Sequence, residues 1–149
     1  MITRTLPAEA DTVALGRELA ADLAAGDLVV LDGPLGAGKT RLAQGIGAGL
    51  SVLGRVTSPT FVLAREHAPG PGGVGMVHVD AYRLGGSGDL LAELDGLDLD
   101  TDLERCVVVV EWGHGVVERL AERHLLVALR REVESDVRTA TWSWVSAAS

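Results

Sequence analysis

The run Gly33-Pro34-Leu35-Gly36-Ala37-Gly38-Lys39-Thr40 sets glycine, lysine and a hydroxyl in the spacing GxxxxGK(S/T). Small residues at these places let successive main-chain N–H groups turn inward around a phosphate. A helix starting at the end of the turn adds the positive end of its dipole. Lys39 supplies a compact positive charge for the outer phosphates, and the Thr40 hydroxyl is placed to ligate magnesium. The turn from Gly33 to Thr40 is therefore expected to bind a nucleoside triphosphate, ATP with Mg2+. A chance match in a chain with 19 glycines is the competing explanation, but Lys39 is the only lysine present and every other cationic side chain of this kind is arginine. Arginine's planar fork replaces a point charge poorly at such a position.

Phosphate binding alone hydrolyses nothing; carboxylates at neighbouring strand ends must hold the metal and a water molecule. Glu111 ends the apolar run 107–110, and Asp80 follows the stretch 76–79. Sequence leaves open which of the two binds magnesium; the pairing favoured is Thr40 with Glu111 for the metal and Asp80 for the water, giving Lys39, Asp80 and Glu111 as catalytic candidates. The loop Thr57-Ser58-Pro59-Thr60 falls where nucleotide hydrolases place a switch that senses the terminal phosphate. Position alone divides that reading evenly from an ordinary hydroxyl-rich turn. Trp112, next to Glu111, is expected beside the nucleotide, whereas Tyr82 and Arg83 could be structural. His67, His114 and His124 have no metal-site spacing and are read as packing or solvated residues. Trp142 and Trp144 alternate with polar residues, as on one face of a strand.

These residues need elements to carry them. Apolar spacing predicts a helix over 8–24, and the all-apolar run 28–31 predicts a strand buried on both faces of a parallel sheet. A second helix is predicted over 39–50, where Gly45, Gly47 and Gly49 each cost about 1 kcal/mol relative to alanine and are assigned to close packing against a sheet. Strands are predicted over 61–67 and 76–80, with a Pro-Gly-rich hairpin or loop between them. A short acidic helix over 87–97, a buried strand over 107–110, a short helix over 116–121 and an antiparallel pair of 125–129 with 139–145 complete the expectation. The fold class is α/β, a P-loop architecture with a mostly parallel central sheet flanked by helices and an antiparallel C-terminal strand pair.

The chain has 149 residues, 47% of them hydrophobic, which suits one domain over 1–149. Its formal charge of -8 opposes direct gripping of a nucleic acid, which needs clustered cations. Cys106 is the only cysteine and is expected to behave as a small buried hydrophobe, as in a reducing compartment. Residues 1–7 lack a basic stretch followed by an apolar one, and no segment approaches the roughly 18 apolar residues of a membrane span. A cytoplasmic protein without membrane contact is expected.

A GTP-specific switch reads guanine through Asn-Lys-x-Asp; this chain has no asparagine, and its one lysine is committed to the turn. A small-molecule or nucleotide kinase stands as the alternative, although it would need a second pocket with lid arginines. The segments GPLGAGKT, TSPTF, HVDAYRL and EW, in this order and spacing, resemble the TsaE family, the bacterial ATPases of tRNA threonylcarbamoyladenosine biosynthesis. The resemblance runs from about residue 7 to residue 138, with Pro34 standing where the family more often has Asp and with an atypical Pro-Gly-rich loop at 69–73. It implies phosphate binding by Leu35, Gly36, Ala37, Gly38, Lys39 and Thr40, magnesium at Thr40 and Glu111, and catalytic support from Asp80. It further implies a switch loop of Thr57, Ser58, Pro59, Thr60 and Phe61, and help in holding the nucleotide from the stretch Glu9 to Thr12 and from Arg138. The partners it implies are TsaD and TsaB, with tRNA reached only through them; hydrolysis by the isolated chain is expected to be slow, because no arginine is evidently positioned as a finger. An adaptor that binds ATP as a structural ligand is the reading from a different class.

Overall fold

The computed structural model describes residues 2–33, 38–52, 64–70, 73–80, 106–111, 123–131 and 137–146. In chain order its elements are β1 (Ile2–Leu6), α1 (Glu9–Ala20), β2 (Leu28–Asp32), α2 (Lys39–Leu50), β3 (Ala64–His67), β4 (Gly75–Asp80), β5 (Cys106–Glu111), β6 (Arg123–Arg131) and β7 (Arg138–Ser146). The strands form one seven-stranded sheet in the order β1-β7-β6-β2-β5-β4-β3. The four central strands are parallel: β2 pairs with β5 and β6, and β5 also pairs with β4. Antiparallel strands close both sides, β3 on β4 and then β7 on β6 with β1 on β7.

The apolar runs explain this arrangement. Leu28, Val29, Val30 and Leu31 of β2 and Val107, Val108, Val109 and Val110 of β5 are all fully buried, as strands covered on both faces must be. Their alternate residues Val29, Leu31, Val107 and Val109 form one core with Leu15 and Leu19 of α1 and Leu42 and Ile46 of α2. The hairpin expected between 61–67 and 76–80 is present as β3–β4, and the C-terminal pair is present as β6–β7. The expected helices over 87–97 and 116–121 lie outside the described residues.

Sequence pattern missed β1. Four of its five residues are exposed and only Leu6 is buried, so it carries no apolar alternation to betray it. Its pairing with β7 holds it, and Arg4 adds an ion pair to Glu18 of α1 and lies 5.3 Å over the Trp142 ring. From β6, the other neighbour of β7, Arg123 lies 4.1 Å over Trp144. Trp142 is buried and Trp144 packs against the core, as their spacing suggested.

Two glycines of α2, Gly45 and Gly49, correct a second expectation, because they meet α1 and not the sheet. A Cβ at Gly16 would lie 2.5 Å from the Leu42 carbonyl oxygen and 2.8 Å from Gly45 Cα. One at Gly45 would strike the Val13 carbonyl, and one at Gly49 would come within 2.6 Å of Ala20 Cβ. The approaches Val13–Gly45 and Arg17–Gly49, with Glu9 paired to Arg41, advance together along both helices, so α1 and α2 run in the same direction, backbone against backbone.

Helix propensity alone would make Gly45→Ala stabilising by about 1 kcal/mol. The packing predicts the opposite sign: Gly45→Ala is expected to lower the unfolding free energy by about 1–3 kcal/mol, read from the urea midpoint.

Candidate functional site

The end of β2 and the start of α2 are joined across residues 34–37, and both junctions are glycines in the left-handed region, Gly33 at φ 147° and Gly38 at φ 104°. Side chains rarely adopt such conformations, so the glycines of the motif are required by the path of the backbone into and out of the turn. Gly38 is the N-cap of α2, and its carbonyl accepts the first helical bond, from Leu42 N–H at 3.0 Å. Leu35, Gly36 and Ala37 lie outside the described residues.

The two parallel helices begin differently. In α1 the first turn carries Glu9 and Asp11, and an Asp11 carboxylate oxygen accepts from the Ala8 N–H at 2.9 Å. That is half of a capping box, alanine having no side-chain acceptor to complete it. In α2 the first turn holds no acid and Gly38 offers no side-chain cap. Its positive end has no counter-charge in its own first turn, a condition that favours receiving an anion.

Lys39 is buried, only 5% exposed, and its Nζ donates to the Gly33 carbonyl oxygen at 2.6 Å. The ammonium thus spans the mouth of the turn. Thr40 follows it, half-buried. Beside Gly38 stand two side chains from distant parts of the chain: a Cβ there would lie 3.6 Å from Thr12 Cγ2 and 4.0 Å from Arg138 Nε. Thr12 is buried and Arg138 half-buried at the start of β7, opposite Leu6 of β1. Glu9, also exposed at this end of α1, is 3.7 Å from Arg41 Nε. Glu9, Thr12, Gly38 and Arg138 are therefore gathered at the start of α2.

The carboxylates come from the sheet. Register pairs Glu111 at the end of β5 with Leu31 of β2 on one side and Asp80 at the end of β4 on the other. The acid-bearing ends of β4 and β5 are thus level with the strand end from which the turn departs, the edge where parallel α/β sheets bind ligands. Glu111 is 5% exposed. Its Oε2 accepts from His78 Nε2 at 2.5 Å, inside the sheet's buried layer. His78 was missed by sequence reasoning; its signal is one imidazole set inside the apolar strand Met-Val-His-Val, two residues before Asp80.

Oxygen donors suit magnesium, a hard ion that keeps several waters and needs only one or two protein oxygens. Thr40 and Glu111 supply that kind of set, and the described residues contain no cluster of three or more His, Cys, Asp or Glu that would suggest another metal. His67 and His124 are buried packing residues, as expected, and Cys106 is half-buried. The expected switch residues Thr57, Ser58, Pro59, Thr60 and Phe61, with Tyr82, Arg83, Trp112 and His114, lie outside the described residues. No helix among the described residues is long and apolar enough to cross a membrane.

Residues 6–140 match the family model described as threonylcarbamoyl adenosine biosynthesis protein TsaE. The tRNA threonylcarbamoyladenosine biosynthesis protein TsaE of Mycobacterium tuberculosis is 63% identical over 95% of this chain and 86% of its own length. The protein of that name from Bacillus subtilis is 34% identical over 91% of this chain and 80% of its own. Among solved structures, the crystal structure of Bacillus subtilis YdiB superposes with a TM-score of 0.73 at 26% identity, covering 98% of this chain and 86% of that one.

A buried ammonium costs desolvation that its hydrogen bonds repay in part, and an apolar side chain of similar volume in its place can be neutral or stabilising. Lys39→Met is accordingly expected to match or exceed the parent protein in urea unfolding. A loss above about 1 kcal/mol would mean that the Lys39–Gly33 bond holds the turn itself.

Proposed function

Because the chain belongs to the TsaE family, we propose that it is a P-loop ATPase, the subunit that binds and slowly hydrolyses ATP in making threonylcarbamoyladenosine, next to the anticodon of tRNA, with TsaD and TsaB as partners. The observation that carries this reading is the start of α2: an uncapped helix end entered through left-handed Gly38, with the chain's single lysine buried beside it. The net charge of -8 suits a cytoplasmic subunit that works through protein contacts and leaves tRNA to its partners.

In this reading the first-turn N–H groups of α2 receive the outer phosphates, and Lys39 exchanges the Gly33 carbonyl for a phosphate oxygen. Thr12 and Arg138, beside Gly38, and Glu9, beside Arg41, border the nucleotide on the α1 side. The Thr40 hydroxyl and the Glu111 carboxylate would hold magnesium. Bound there, the ion would neutralise charge shared between the outer phosphates. Asp80 orients the attacking water, and the loop from Thr57 to Phe61 senses the terminal phosphate and offers partners a surface that exists only with ATP in place. Hydrolysis then resets the complex.

Phosphate release from ATP with magnesium, by the chain alone and with purified TsaD and TsaB, tests the proposal. Turnover is expected to rise strongly with the partners. Lys39→Met is expected to weaken ATP binding by about 10- to 100-fold, the loss of a charge-assisted hydrogen bond. Asp80→Ala is expected to bind ATP within about threefold of the parent while releasing no phosphate, the pattern of a residue that acts only in the chemical step. Phosphate appearing on a small acceptor would favour a kinase, and full complementation of cells by Asp80→Ala would favour an adaptor for which hydrolysis is incidental.

A further inference from the structure

His78 is fully buried in the middle of β4, between Val77 and Val79, where packing alone calls for an apolar side chain. Its ring makes one hydrogen bond, Nε2 to Glu111 Oε2 at 2.5 Å, and its Nδ1 is buried with no partner among the described residues. A carboxylate only accepts, so Nε2 carries the proton and donates it. Seating an imidazole here with one nitrogen unsatisfied is unfavourable, and the bond to Glu111 is the only polar interaction that offsets it among the described residues.

The bond divides the labour of the carboxylate. Oε2 is committed to His78, and Oε1 has no hydrogen-bond partner among the described residues and is not among the sealed, unpartnered atoms. The Glu111 side chain is 7% exposed, and Oε1 is the oxygen left without a hydrogen bond among the described residues. Register supports the arrangement: His78 pairs with Val109, two residues before Glu111 on the neighbouring strand, so the ring and the carboxylate rise from the same face of the sheet. A glutamate has three side-chain torsions and could present either oxygen or swing away; a donor locked inside the strand removes that freedom.

We propose that His78 is a positioning residue for the metal site: by holding Oε2 of Glu111 it presents Oε1 alone, in one orientation, to magnesium. The inference rests on the reading of Glu111 as a magnesium ligand. Hydrogen-bond partners of metal ligands act in this way elsewhere, and their loss weakens metal affinity or activity about 10- to 100-fold.

The test measures ADP affinity by calorimetry, with magnesium and with EDTA, so that it reads binding and not turnover. In His78→Leu the gain in affinity that magnesium confers is expected to fall by about tenfold, while the affinity in EDTA stays within about twofold of the parent. In His78→Gln, whose amide nitrogen can donate from nearly the place of Nε2, the gain is expected to return, which an apolar filling role would not produce. His78→Leu that keeps the full magnesium gain, whatever its stability, overturns the proposal. Glu111→Gln separates the two ideas: if it keeps the magnesium gain as well, the metal-ligand reading of Glu111 has failed and the role of His78 falls with it. If it loses the gain while His78→Leu does not, only the positioning role is wrong.

Discussion

The contact between Gly16 and Gly45 sets the distance between α1 and α2, and with it the shape of the whole edge where the turn opens. With no side chain on either residue the two backbones touch, and the contacts at Gly49 repeat the approach one turn further on. Helices held this closely and running in the same direction deliver both their N-termini to one place. The first turn of α1 then stands against Gly38, so Thr12 and Glu9 reach the entrance of α2 without any loop to carry them. A bulkier seam would push α1 outward and separate these groups from the turn, even though no atom of the seam touches a ligand.

Two helices starting together also set two positive dipole ends side by side, and the sequence treats them unequally. Glu9 and Asp11 answer the charge of α1 internally, while α2 carries no acid in its first turn. The field of α2 thus has no answering acid in its own first turn, and the buried Lys39 stands beside it. The sheet is arranged on the same plan. Strands β2 and β5 are continuous apolar runs, and into the buried layer beside them come His78, within β4, and Glu111, at the end of β5. Each is a local departure from good core composition, and departures of this kind gather where chemistry is expected to be done.

What was legible in the sequence follows from what leaves a periodic or chemical trace. The all-apolar strands β2 and β5 and the motif between Gly33 and Thr40 stood out because burial on both faces and phosphate geometry each restrict residue type. The neighbourhood of Thr12 and Arg138 with Gly38 came from family resemblance alone; these positions are far apart in sequence, and no spacing rule links them. β1 escaped because an exposed edge strand is held by main-chain pairing, which leaves hardly any mark on side-chain choice. The glycines of α2 were noticed but assigned to the sheet, since a small residue announces a close neighbour without saying which. His78 was passed over because a histidine two residues before a carboxylate within a strand has no meaning until the next strand is aligned beside it.

The pairing of β1 with β7 ties Ile2 to Trp142 and Leu6 to Arg138, so among the described strands the earliest docks on the latest. Strand β1 and the start of α1 are synthesised well before β7 and wait for nearly all of the described chain before that partner exists. Long loops close slowly because their entropy must be lost before any contact rewards it. The order of assembly is thereby set: the parallel centre of the sheet can form from the middle of the chain, and Arg138 reaches Gly38 only as the outer strands close. The edge that carries Thr12, Gly38 and Arg138 is therefore unfinished until synthesis has passed β7, and topology alone makes its completion the last step among the described strands.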